Sequence, residues 1–257
     1  MSVRPGAEPF AHDGDDVGVL LCHGFTGNPS SLRPWAEELA AAGHTVRLPR
    51  LPGHGTTWQE MGRTRWTDWY GEVDAAFREL RERSRVVVVG GLSMGGALAL
   101  RLAEEHGGGE TGVNGLVLVN PAVKLTDRRL AAVPVARWVV PSFPPVGSDI
   151  KKAGSTEDAY DRIPGQALHS MLQFYRVVVA DLPKVKQPLL LLRSPEDHVV
   201  PPVSSAYVLS HVASDDVTEI LCEDSYHVVT LDNDAPRVFS ESLAFVERLA
   251  SGVGGAR

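Results

Sequence analysis

The pentapeptide Gly91-Leu92-Ser93-Met94-Gly95 lies between the apolar run Val86 to Val89 and the small-residue run Gly96 to Ala103. A short β-branched run reads as a buried strand, and the alanine- and leucine-rich run after it as a helix packed closely beneath. Ser93 therefore stands on a strand-to-helix turn. Glycines two before and two after the serine permit a strained turn and close helix–strand approach. This is the pattern of a nucleophile elbow, which lifts the hydroxyl clear of the sheet. The helix N-terminus adds positive partial charge, favourable to an anion formed beside the serine. The pentapeptide alone also suits an ordinary strand–helix turn, so the rest of the chain has to decide.

Apolar runs at Val17 to Cys22, Thr45 to Leu48, Leu116 to Val119, Leu189 to Leu192 and Thr218 to Cys222 read as further strands. Helical spacing recurs between them, at Leu32 to Ala40, about Asp68 to Arg83 and Val203 to Val212, and again from about Asp234 to Leu249. Strands alternating with helices predict an α/β fold, a mostly parallel sheet flanked by helices on both faces. Right-handed crossovers bring the strands' C-terminal ends to one rim, where ligands bind. Between Asn120 and Pro188 the rhythm breaks. That stretch holds several prolines, no convincing strand, and one amphipathic helix carrying Leu168, Met171, Leu172, Tyr175 and Val178. A long insertion in a compact α/β domain is commonly a lid over the site. The expectation is one domain spanning residues 1–257, with a cap over about 121–186.

A serine at its free pKa is a poor nucleophile and needs a base. Of the nine histidines, His227 follows the last strand, at the rim where Ser93 is expected. Asp197 follows the Leu189 to Leu192 strand and is the candidate acid, with Glu196 its rival. Chain order Ser, Asp, His is that of an α/β-hydrolase. Such a site needs two N–H donors for the oxyanion; the backbone amides of Met94 and of Phe25, in His23-Gly24-Phe25-Thr26-Gly27, are the candidates. His54 in Gly53-His54-Gly55 has no second ligand at metal spacing and reads as a loop brace. The glycines at 90, 91, 95 and 96 do not fit a dinucleotide fingerprint, and Gly107 to Gly109 lack the Lys-Ser/Thr of a phosphate loop. No metal and no cofactor are expected.

The net charge of -7, with no compensating basic stripe, argues against nucleic acid as a partner. No run approaches the roughly 18 apolar residues of a membrane span. Met1 to Asp16 carries no secretory pattern, so a cytoplasmic location is expected, with Cys22 and Cys222 as buried free thiols. Monomer and homodimer both stay open.

Taken together, His23-Gly24-Phe25-Thr26-Gly27, Gly53-His54-Gly55, Gly91-Leu92-Ser93-Met94-Gly95-Gly96, Glu196-Asp197-His198-Val199-Val200-Pro201-Pro202 and Ser225-Tyr226-His227-Val228 resemble the bacterial monoacylglycerol lipases and similar small carboxylesterases. The likeness runs from about Gly6 to Leu249. It implies an α/β-hydrolase fold with a small cap inserted after the sixth strand, and cleavage of fatty-acid monoesters without metal or cofactor. Ser93, Asp197 and His227 would be the triad, with the Phe25 and Met94 amides as oxyanion hole. Glu157 matches the cap carboxylate that meets the glycerol head, and Val146 would sit in the cap near the ester. The cap segment Arg128 to Pro145 follows no pattern of the family, which leaves acyl preference open. A small lipid ester is the implied substrate, with transient contact to lipid aggregates through the cap. A broad-specificity carboxylesterase is the alternative; a non-catalytic receptor or scaffold on the same fold would need no complete triad.

Overall fold

The computed structural model describes residues 2–145 and 148–254. Its elements are, in chain order, β1 (Phe10–His12), β2 (Val17–Cys22), α1 (Arg33–Ala41), β3 (Thr45–Leu48), α2 (Trp58–Met61), α3 (Trp66–Arg83), β4 (Val86–Leu92), α4 (Met94–His106), β5 (Gly115–Val119), α5 (Val133–Ala136), β6 (Ser142–Phe143), β7 (Ile163–Pro164), α6 (Gly165–Asp181), β8 (Leu189–Arg193), α7 (Val203–His211), β9 (Val217–Leu221) and α8 (Ala235–Gly254). Among the described residues the main sheet has seven strands in the order β1-β3-β2-β4-β5-β8-β9. All its pairs are parallel except β1 with β3.

Alternation along β4 shows how the strands divide the core. Val87 and Val89 pack on the face covered by α3, α4 and α6, whereas Val86 and Val88 pack on the face covered by α1 and α8. Burial on both faces is why the strand reads as a continuous apolar run. The first face is built around Trp69, Phe77 and Phe174, and the second around Trp35, Leu39, Val238 and Phe245. Cys22 and Cys222 are free and buried.

The chain moves outward from β2 to β3, returns to β4 on the other side of β2, and then proceeds through β5 and β8 to β9. The switch in direction falls between β2 and β4. In open α/β sheets, such a switch point is where loops leaving neighbouring strands diverge and ligands bind.

The long insertion leaves after β5, the fifth strand rather than the sixth. Among the described residues one strand precedes β2, the three-residue β1, with Pro5, Gly6, Pro9 and Gly14 breaking the pattern around it. Residues 120–145 and 148–188 run over the C-terminal rim, pair the short β6 and β7 antiparallel, and return along α6. That helix seats Phe174 against Trp66 of α3 with ring centroids 5.2 Å apart, while Ser170 Oγ accepts the Trp66 N–H at 2.9 Å.

Candidate active site

At the end of β4 the backbone turns sharply. Ser93 has φ 58° and ψ -119°, a conformation strained for any residue with a Cβ. Gly91 and Gly95 make the turn possible for a steric reason. A Cβ on Gly91 would stand 2.2 Å from the Gly95 carbonyl oxygen, and one on Gly95 would stand 1.8 Å from the Cys22 oxygen at the end of β2. The helix start is therefore pressed against the end of the neighbouring strand, with Ser93 between them. Among the described residues the non-glycines with positive φ are Thr26, Ser93 and Asn120, all on this rim. Strain gathered this way is typical of functional sites.

His227 and Asp197 meet at the same rim. The imidazole Nδ1–H donates to Asp197 Oδ2 at 2.7 Å, and the other carboxylate oxygen accepts the Val199 and Val200 N–H groups at 2.8 and 2.7 Å. Both side chains are almost fully buried. Fixing Nδ1 as the protonated nitrogen leaves Nε2 as the acceptor. Burial works to lower the imidazole's pKa, but the Asp197 hydrogen bond and charge, aided by Glu157 and Asp149, outweigh it and raise it above the ordinary value. The Ser93 hydroxyl makes no hydrogen bond among the described residues. Serine–histidine contacts are often long until substrate binds. The two residues are tied through the backbone instead. Ser93 N–H donates to Val119 O, and Asn120, the next residue, donates from Nδ2 to His227 O at 2.8 Å.

The loop after β2 faces the elbow. A Cβ on Gly24 would lie 3.5 Å from that of Ser93, so the loop carrying Phe25 is in contact range of the serine. Neither the Phe25 nor the Met94 N–H is used by a protein acceptor among the described residues. His23 fixes the loop from below, its Nδ1–H donating to Gly24 O at 3.0 Å and its Nε2 accepting the Leu51 N–H at 3.1 Å. Burial brings its pKa down to about 4, so the ring stays neutral and keeps that tautomer. His54, also buried, lies edge-on to both His23 and Trp69, and Trp69 in turn supports the Phe25 ring.

Glu157, arriving from the insertion, is placed against this loop. Its Oε1 would be 2.8 Å from a Cβ on Gly27, so the glycine leaves room for the carboxylate. That carboxylate makes no hydrogen bond among the described residues. Burial raises its pKa, with the His227 charge opposing and Asp158 adding to the rise. The stretch is irregular, and Tyr160 anchors it by donating its N–H to Thr26 O and its hydroxyl to Gly53 O. Val146 lies outside the described residues.

Three residues that organise the rim were not singled out from the sequence. Asn120 accepts the Ser194 N–H at 2.8 Å while holding the His227 carbonyl, and so joins the ends of β5 and β8 to the histidine loop. Its position at a strand end before Pro121, in an amide residue tolerant of positive φ, was the available signal. Asp149 and Asp232 accept backbone N–H groups from segments distant in the chain, and no local pattern reveals that.

The sequence pattern of the family described as "Serine aminopeptidase, S33" matches residues 16–234. The thermostable monoacylglycerol lipase of Bacillus sp. (strain H-257) is 40% identical over 249 residues, covering 96% of this chain and 97% of that one. A carboxylesterase of Bacillus subtilis (strain 168) is 25% identical over 243 residues, 94% of this chain and 97% of that one. A solved structure from work on LipS and LipT, two metagenome-derived lipolytic enzymes, superposes with a TM-score of 0.92 at 41% identity, covering 96% of this chain and all of the other. With the matched pattern spanning most of its length and the sheet order described above, the chain belongs to the Hydrolase_4 family, serine hydrolases of the α/β-hydrolase fold.

Proposed function

We propose that this chain is a monoacylglycerol lipase, hydrolysing the ester of a single fatty acyl chain with glycerol. The observation that carries the substrate class is the Glu157 carboxylate, half-buried beside Gly27 with its hydrogen-bonding capacity unspent and within charge range of His227. Likeness to the Bacillus lipase supports the same reading. Residues 121–186 act as the cap.

Ser93 Oγ attacks the ester carbonyl carbon as its proton passes to His227 Nε2, and Asp197 steadies the imidazolium that forms. The carbonyl oxygen becomes an oxyanion and takes the Phe25 and Met94 N–H groups. Collapse expels glycerol's alkoxide, which takes the proton back from His227 and leaves an acyl group on Ser93. Water, deprotonated by the same nitrogen, then attacks the acyl carbonyl, releases the fatty acid and returns the proton to the serine. Glycerol hydroxyls donate to Glu157.

Glu157→Ala is expected to raise KM for a monoacylglycerol about tenfold or more, the loss of a hydrogen bond to a charged group. KM for p-nitrophenyl butyrate, which has no head hydroxyls, should stay as it is. Equal rises on both substrates would return the assignment to a broad carboxylesterase.

Val135, Trp138 and Val139 stand exposed on the outer face of the insertion, and Arg137 covers the Trp138 ring at 4.7 Å. An exposed apolar patch with basic neighbours suits contact with a lipid aggregate. Trp138→Ala should leave turnover of dissolved p-nitrophenyl butyrate intact and lower it on emulsified monoacylglycerol; unchanged rates on both would discard the contact. The buried free thiols suit a cytoplasmic setting.

A further inference from the structure

Asp197 and His227 lie on loops that leave different strands, β8 and β9, and their 2.7 Å hydrogen bond persists only if those loops keep their spacing. A residue from the insertion spans them. Asp149 Oδ2 accepts the backbone N–H of His227 and that of His198, each at 3.1 Å, and Oδ1 pairs with the His198 ring Nδ1 at 2.8 Å. The Asp149 carbonyl oxygen accepts the Val228 N–H at 3.1 Å as well. One side chain thus grips the base itself and the residue next to the acid. It is largely buried, with the side chain 14% exposed.

The flanking residues repeat the stitch. Asp232, almost fully buried, accepts the Lys151, Lys152 and Tyr226 N–H groups at 2.7 to 2.8 Å. Lys151 Nζ reaches Glu196 at 3.2 Å and Asp224 at 3.3 Å, one on each loop.

We propose that Asp149 is a positioning residue for ester hydrolysis: its carboxylate holds the His227 and Asp197 loops in register, so that the imidazole stands where it can serve Ser93. This rests on the triad reading given above. Hydrogen bonds to a carboxylate are strong and directional, and an imidazole displaced by about 1 Å costs on the order of a hundredfold in rate. Asp149 also supplies one of the negative charges around the imidazole, after Asp197 and Glu157; the His198 ring and the Lys151 ammonium are the basic groups on the same side.

The test compares Asp149→Ala with Asp149→Asn in the full chain, using p-nitrophenyl butyrate. Asparagine keeps an oxygen able to accept both backbone N–H groups but carries no charge. Asp149→Ala is expected to lose about a hundredfold in kcat with KM little changed. Asp149→Asn should keep kcat within a few-fold, with the acid limb of its kcat/KM profile moved to lower pH, because a charge favouring the imidazolium is gone. Full kcat in the alanine variant overturns the proposal, and so does a rise in KM with kcat intact, which would make Asp149 a fastener of the cap alone. Should circular dichroism show the alanine variant unfolded, the asparagine variant decides, and an unmoved acid limb overturns the proposal. Wild-type protein that neither hydrolyses the ester nor labels with a fluorophosphonate removes the triad reading instead, a separate result.

Discussion

Ser93→Ala is expected to lower turnover of p-nitrophenyl butyrate roughly a million-fold and to abolish labelling by a fluorophosphonate, while the fold survives. The side chain is not needed for structure: the Ser93 hydroxyl has no hydrogen-bond partner among the described residues, and alanine carries the same Cβ into the same strained turn. Melting temperature should therefore stay close to that of the wild type. Ser93→Gly separates strain from chemistry. It is equally inactive, yet it removes the Cβ from a φ of 58°, relieving about 1 to 3 kcal/mol. Part of that gain is offset by about 1 kcal/mol of added chain entropy. The glycine variant should melt at or above the alanine variant. Turnover of Ser93→Ala within a hundredfold of wild type would mean that another group attacks the ester. His227→Ala should fall nearly as far as Ser93→Ala, since serine and base act as one unit.

Much of this was legible in the sequence because the inner strands of the sheet are buried on both faces. Strands such as Val86 to Val89 are continuous apolar runs, and each ends in residues that break the pattern, so Ser93, Asp197 and His227 could be placed on one rim by chain order alone. The elbow was legible because its glycines answer to a local clash. β1 was not. It is three residues long, sits at the sheet edge and lacks an apolar run, so its pairing with β3 comes from tertiary context. The insertion resisted for a related reason: apart from α6 it has little regular structure, and much of its anchoring comes from hydrogen bonds to distant loops. Asp149 meets a backbone amide 78 positions away, and Asp232 meets amides 80 and 81 positions away. A carboxylate that caps remote N–H groups looks, along the chain, like any surface aspartate. The three residues proposed as the triad could therefore be picked out by residue type and place along the chain, whereas the backbone contacts that join their loops could not.

Gly95→Ala is expected to destabilise the protein by more than about 3 kcal/mol, or to prevent folding, although alanine is the better helix former. The new methyl would meet Cys22 O at 1.8 Å, Cys22 C at 2.5 Å and His23 O at 2.9 Å, all of them backbone atoms with no side chain to swing aside. Relief requires α4 to withdraw from the end of β2. Cys22 pairs with Gly91 across the sheet, so the strand cannot yield without disturbing β4. Any folded remainder would carry Met94 away from Phe25, and the two N–H groups proposed for the oxyanion would no longer converge. Its kcat should fall even where the protein melts cooperatively, since losing one such donor alone costs roughly 3 to 4 kcal/mol. Gly71→Ala is the matched control: it lies within α3, exposed, with nothing within 4 Å of the added Cβ, and should stabilise by roughly 0.5 to 1 kcal/mol. Opposite signs for the same substitution in two helices would locate the effect in the contact between α4 and β2. Equal stabilisation at both positions would show that the helix start is free to move, and would remove the steric argument for the elbow.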